Sequence, residues 1–112
     1  MIHPMLFDVI ETIYPLVESN LNSGARGTIV HRHADDSFEV EFTDDNGETV
    51  AVRNLVRDQF VVIWQADTET EVSLSEQVAQ VVSLLPAPAG TEVLDFARFL
   101  TWQRLKAAEA LA

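Results

Sequence analysis

Apolar residues along this 112-residue chain change their spacing once, near Asp67–Glu71. Ahead of that point they alternate with polar residues, as in half-buried strands; after it they recur at helical spacing. The clearest strand signal is Phe38, Val40 and Phe42 alternating with Glu39 and Glu41. Asn46-Gly47 then gives the strongest short hairpin signal, because both residues tolerate positive φ, and Thr49–Arg53 is the predicted return strand. Phe7–Tyr14 reads as a first strand ended by Pro15, which removes a backbone donor. Gly24 and Gly27 allow tight turning before Thr28–Arg32, and Phe60–Trp64 reads as a last strand, apolar on both faces. Five short strands within some sixty residues predict a small closed barrel, since closure hides strand edges.

The second half opens on Ser73-Leu74-Ser75-Glu76, a capping-box pattern. Leu74, Val78, Val81, Val82 and Leu85 then predict one apolar helical stripe, with Gln77 and Gln80 facing elsewhere. Pro86–Gly90 should end that helix, and Thr91 is the expected N-cap of a second, running from about Glu92 to near Leu111. Val93, Leu94, Phe96, Ala97, Phe99, Leu100 and Trp102 cover more than one side of it. A helix lying on a single surface needs about a third of its circumference apolar, so the excess predicts a second contact. The expected organisation is a barrel over 1–66, an acidic linker over 67–72 and a helical hairpin over 73–112. The fold class is thus α+β, a five-stranded SH3-like barrel followed by a C-terminal helical hairpin.

Charge narrows the partner class. Eighteen acidic and seven basic side chains give a net charge of −11. Nucleic acid and anionic membrane surfaces are both disfavoured by that field, whereas a basic protein would be steered toward it. The chain has no cysteine, which removes disulfides, thiolate nucleophiles and cysteine metal sites together. Its apolar runs are too short to span a bilayer. Met1-Ile2-His3-Pro4 has no basic region leading into an apolar core, so no signal peptide is expected, and a cytoplasmic protein is the simplest expectation.

Candidate chemistry is sparse. His31 and His33 share a strand face and, with Asp35 or Asp36, offer three potential metal ligands. Glu39 and Glu41 share a face too, but their alternation with Phe38, Val40 and Phe42 points them to solvent. Asp44–Glu48 lacks the calcium-loop spacing. Gly24 and Gly27 have neither phosphate-loop spacing nor a following lysine. Tyr14, Pro15 and Trp64 are candidates for an aromatic peptide groove, and Arg26, Arg32, Arg53 and Arg57 for a small basic patch. The last helix carries more signal: Val93, Phe96, Phe99, Leu100 and Trp102 are the candidate partner-binding residues, since aromatic side chains dominate interfaces when they enter pockets.

Phe7-Asp8-Val9, then Gly24–Val30, Phe38–Asp44 with Asn46–Thr49, and Val56–Gln59 occur in the order in which the chain resembles a bacterial family, domain of unknown function 4926. That resemblance implies a short SH3-like barrel and no activity. Leu84-Leu85-Pro86 followed by Glu92–Leu100 is similar to the helical hairpin of small bacterial antitoxin-like proteins, although Ala87–Gly90 departs from its charged helix start. The expectation is a non-enzymatic protein-binding module without cofactors. It would be an antitoxin or immunity-type neutraliser of a basic partner protein, such as a toxin encoded nearby. The alternatives are a homodimeric interaction protein and, third, a His-based metal-binding protein.

Overall fold

The computed structural model describes residues 1–111. In them run β1 (Val9–Thr12), β2 (Arg26–Arg32), β3 (Phe38–Thr43), β4 (Thr49–Leu55), β5 (Phe60–Gln65), β6 (Thr70–Glu71), α1 (Leu74–Val82) and α2 (Ala87–Leu111). Single 3-10 turns lie at Val17–Ser19 and Arg57–Gln59. The strands form one antiparallel sheet in the order β4-β3-β2-β1-β5-β6. The fold class is α+β.

Two expectations about the sheet are corrected. It is open rather than a closed barrel, with β4 and β6 as its edges, and it has six described strands rather than five. The sixth comes from the stretch 67–72, expected to be a linker. Thr70 and Glu71 pair with Gln65 and Trp64, and Val72 is buried. The cause is local: Glu69 takes φ +52°, which folds Asp67–Glu69 into a turn and returns the chain onto β5. Charge density marked this segment as solvated. Its backbone nevertheless extends the sheet, and its carboxylates stay in water.

The chain divides into two units, Met1–Val81 and the residues from Val82 onward. The core of the first contains Ile10, Ile29, Val40, Phe42, Leu55, Phe60 and Val62, all fully buried or nearly so. Alternation produces it: Phe38, Val40 and Phe42 face in, while Glu39 and Glu41 stand opposite Asn54 and Val52 on the outer face. Gly27 is required by packing rather than by turning. A Cβ there would lie 2.5 Å from Val40 Cγ1 and 2.9 Å from Phe42 Cε1. The Asn46-Gly47 hairpin forms as expected, with Gly47 at φ +79° and the Asp44 carboxylate accepting from the backbone N–H of Asn46 and Glu48.

Buried polar groups tie the ends of this unit together. Asp8 is almost wholly buried, and its carboxylate accepts from Met5 N and Ala66 N, 2.9 Å each. It thereby joins the segment before β1 to the end of β5. Thr12 donates to Asn22 O and accepts from Ala25 N, fastening the long β1–β2 connection.

Helix α1 begins as expected, with Ser73 Oγ accepting from Glu76 N at 3.2 Å. Its inward face is rotated from the expected one, with Val81 and Val82 only half-buried. Leu74 is 75% exposed and Val78 46%, whereas Gln80 is 5% exposed. The primary amide of Gln80 docks on β5, donating to Val62 O at 2.9 Å and accepting from Val62 N at 2.8 Å. An amide side chain can do this because it repeats the donor and acceptor of a peptide group, so it stands in for a neighbouring strand where β6 no longer reaches. Arg57 Nη2 donates to the same Gln80 oxygen at 2.8 Å, and Arg57 Nη1 to Phe60 O at 2.7 Å.

Helix α2 starts at Ala87, five residues before the expected Glu92, and spans 25 residues, or about 37 Å at ~1.5 Å per residue. Pro88 does not break it, because a missing N–H in the first turn costs no intrahelical bond. Gly90 N already bonds Pro86 O at 3.0 Å. Thr91 therefore lies within the helix, its hydroxyl donating to Ala87 O, instead of capping it. The expected end of the hairpin at 112 falls outside the described residues.

Candidate functional site

The residues proposed from sequence to meet a partner all lie on α2. Val93 is half-buried, while Phe96 (61%), Phe99 (48%), Leu100 (43%) and Trp102 (56%) are exposed. At ~100° per residue, the arc from Ala97 through Val93, Leu100, Phe96 and Phe99 to Trp102 covers about 220° of the circumference. Leu94 and Leu105 are exposed on the remaining side; Leu105 was missed by a motif-based reading that stopped at Trp102. The rings of Phe96 and Phe99 stack at 6.3 Å, and Lys106 Nζ lies 5.0 Å over the Trp102 ring. Phe96, Phe99 and Trp102, spaced i, i+3 and i+6, thus form one drifting aromatic ridge.

The sheet unit carries a second feature, a groove of about 520 Å³ lined by Val9, Glu11, Arg26, Ile63, Trp64, Glu71, Val72 and Gln77. It owes its floor to a β-bulge. Ile10 pairs with Val62 but Val9 pairs with Trp64, so β5 carries one residue more than β1 across this step. Strict alternation would put Trp64 on the face of Phe60 and Val62, in the core. The extra residue turns it to the face of Val9 and Glu11, which is what bulges do at the edges of sites. Trp64 also stands directly opposite Glu71 on β6. Val9, Trp64 and Glu71 therefore form one row across three strands, where directly opposed Cβ atoms sit about 5 Å apart. Glu11 and Arg26, opposed on β1 and β2, form an ion pair at 3.0 Å beside that row.

The other candidates separate. Tyr14 and Pro15 are exposed but do not line the groove, so the expected trio with Trp64 is not assembled. His31 and His33 meet edge to face at 4.6 Å. Asp35, however, is held by Ser37, accepting from its hydroxyl at 2.6 Å and its N–H at 3.1 Å. Those bonds keep the Asp35 carboxyl below its ordinary value. Among the described residues, no group of three or more His, Cys, Asp or Glu side chains is placed to hold a metal ion. The four arginines of the supposed basic patch go to separate partners: Arg26 to Glu11, Arg32 to Asp36, Arg53 to Ser19 and Glu18, and Arg57 to Gln80 and Phe60. Burial lowers the Arg57 pKa from its ordinary value, which reflects its structural place between α1 and β5. Among the described residues no helix is long and apolar enough to cross a membrane.

Neither a curated protein nor a solved structure matches the chain. A family model described as "Domain of unknown function (DUF4926)" matches residues 6–62, from the segment before β1 to the middle of β5. The match takes in Asp8, the buried fastener, and Gly27, the close-packed glycine, and it stops short of Trp64, β6 and both helices. By that match, the chain belongs to the DUF4926 family.

Proposed function

We propose that this protein is a non-enzymatic binding module whose α2 helix anchors a basic partner protein. The observation that carries the reading is the exposure of Phe96, Phe99, Leu100 and Trp102 together along one helix. Covering such side chains contributes about 1.5–3 kcal/mol each before ordering costs, and leaving them in water invites aggregation. The net charge of −11 supplies the second half of the reading. It speeds encounter with a positively charged protein and repels further copies of the chain. The similarity of Leu84–Pro86 and Glu92–Leu100 to antitoxin hairpins favours a neutraliser of antitoxin or immunity type, acting in the cytoplasm on a toxin encoded nearby.

The test is co-expression with the adjacent basic open reading frame. The neighbour should be toxic alone, tolerated with the wild-type chain and co-purified with it. F96A/F99A/W102A should lose both protection and co-purification while keeping the sheet's far-ultraviolet spectrum. A harmless neighbour that never co-purifies overturns the neutraliser. Light scattering separates the alternative, a homodimer through the same helix: a concentration-independent dimer abolished by the triple substitution would assign α2 to a second copy.

A further inference from the structure

We propose that the groove over β1, β5 and β6 receives an arginine side chain of the partner protein, a site that rests on the binding reading above and adds a second, polar contact to it. Three features of the groove point to a guanidinium. Its floor offers the indole of Trp64, turned outward by the bulge at Val9 and Ile10 and flanked by Val9 and Ile63. A planar cation stacks on an indole face better than any other common side chain. The Glu71 carboxylate stands directly across from that indole and has no ion pair among the described residues. Finally, the wall already holds one guanidinium: Arg26 lies on Glu11 at 3.0 Å. The groove is thus shaped for this group, with one carboxylate taken by the chain itself and one left for a guest. At about 520 Å³ it has room for the guest's aliphatic stem against Val72 as well as its charged end.

The occupant is cationic because two of the three charged wall groups are carboxylates and the chain as a whole is strongly acidic. An apolar side chain would bury Glu71 without a partner, which is unfavourable. Lysine would satisfy the charge but present no flat face to the indole.

The experiment titrates the full-length chain with N-acetyl-arginine amide, following backbone and indole resonances by heteronuclear NMR. N-acetyl-citrulline amide, equal in shape and neutral, is the control. Arginine should give saturable shifts at Ile63, Trp64 and Glu71, weakened by salt, and citrulline should bind about three- to tenfold more weakly. E71Q, an exposed substitution that leaves the remaining resonances in place, should weaken arginine binding by a similar factor, and W64L should remove it. Equal binding of citrulline, an unchanged affinity in E71Q, or no saturable shift at the groove would each overturn the assignment. No partner protein enters this titration, so its failure leaves the α2 reading standing. Loss of co-purification in the α2 triple variant is judged separately.

Discussion

Phe42 and Phe60 are sealed inside the sheet unit, while Phe96 and Phe99 of α2 stand about half exposed, although all four lie in regular structure. Phe42 sits on a strand whose opposite face carries Glu39 and Glu41, so one face alone has to be covered there, while Phe60 sits on β5, where Phe60, Val61 and Val62 are all buried and both faces are covered. The second pair belongs to a helix whose apolar residues run around more than half its girth. A strand with period-two alternation fits one surface; a helix without a polar face fits none by itself. The contrast teaches that α2 gathers Leu94, Phe96, Phe99, Leu100, Trp102 and Leu105 exposed along one element, which is where the proposed partner would act.

Truncating the two sets of aromatics breaks that comparison most directly. F60A should lower unfolding stability by about 3–5 kcal/mol, read from urea melts, while F96A and F99A should each stay within about 0.5 kcal/mol of wild type. A large loss in F96A would show that α2 is part of the folding core.

Gln80 offers the next test. Q80L keeps the volume but orphans Val62 N, Val62 O and part of Arg57, and each buried group left unpaired costs about 1–3 kcal/mol. Amide exchange at Val62 should accelerate in this variant, and the α1 signal should fade before the rest of the sheet melts. L74A and V78A, on the exposed side of the same helix, should be near neutral. That order reverses what an apolar stripe facing the core would give.

A close-packed glycine gives a smaller effect. G27A forces Val40 and Phe42 aside, for about 1–3 kcal/mol of overpacking. The penalty should shrink in a V40A background, where the nearest clashing methyl is gone, and a double-mutant cycle measures that coupling.

The smallest effect belongs to Asp35. Ser37 holds its folded pKa below the ordinary 3.8, so the carboxylate stabilises the fold above that pH and the contribution fades as pH falls through the lower folded value. S37A should therefore narrow the stability lost between neutral pH and about pH 2, with urea midpoints as the readout. A wider loss in S37A would reverse the sign.

The parts of the fold that were legible in the residues were those with local causes. Phe38–Phe42 alternates and is a strand; Asn46-Gly47 has the torsional freedom a hairpin needs; Ser73 has the hydroxyl a helix N-terminus needs. The five-strand barrel failed where edges were concerned. Whether β4 and β6 are paired depends on distant backbone, and the chain covers the β5 edge with the Gln80 amide, a device that looks like an ordinary surface glutamine in one dimension. Pro86–Gly90 does follow the end of α1, but Pro88 also belongs to the first turn of α2, where proline costs no intrahelical bond, so that helix starts five residues before Glu92. Trp64 was a groove candidate beside Tyr14 and Pro15, but the neighbours it meets, Val9 and Glu71, are set by the bulge on β5 and by β6, which no local pattern announces.

By itself, the amino-acid order determined the α+β class, the acidic field, the family over 6–62 and the excess of apolar residues on the last helix. These follow from composition and from contacts within a few positions along the chain. Only tertiary structure decided that the sheet stays open, that α1 turns its glutamine inward, and that one inserted residue on β5 moves an indole from the core side to a groove beside Glu71. Register and edge coverage are set by pairing between residues far apart in sequence, where a shift of one position exchanges the two faces.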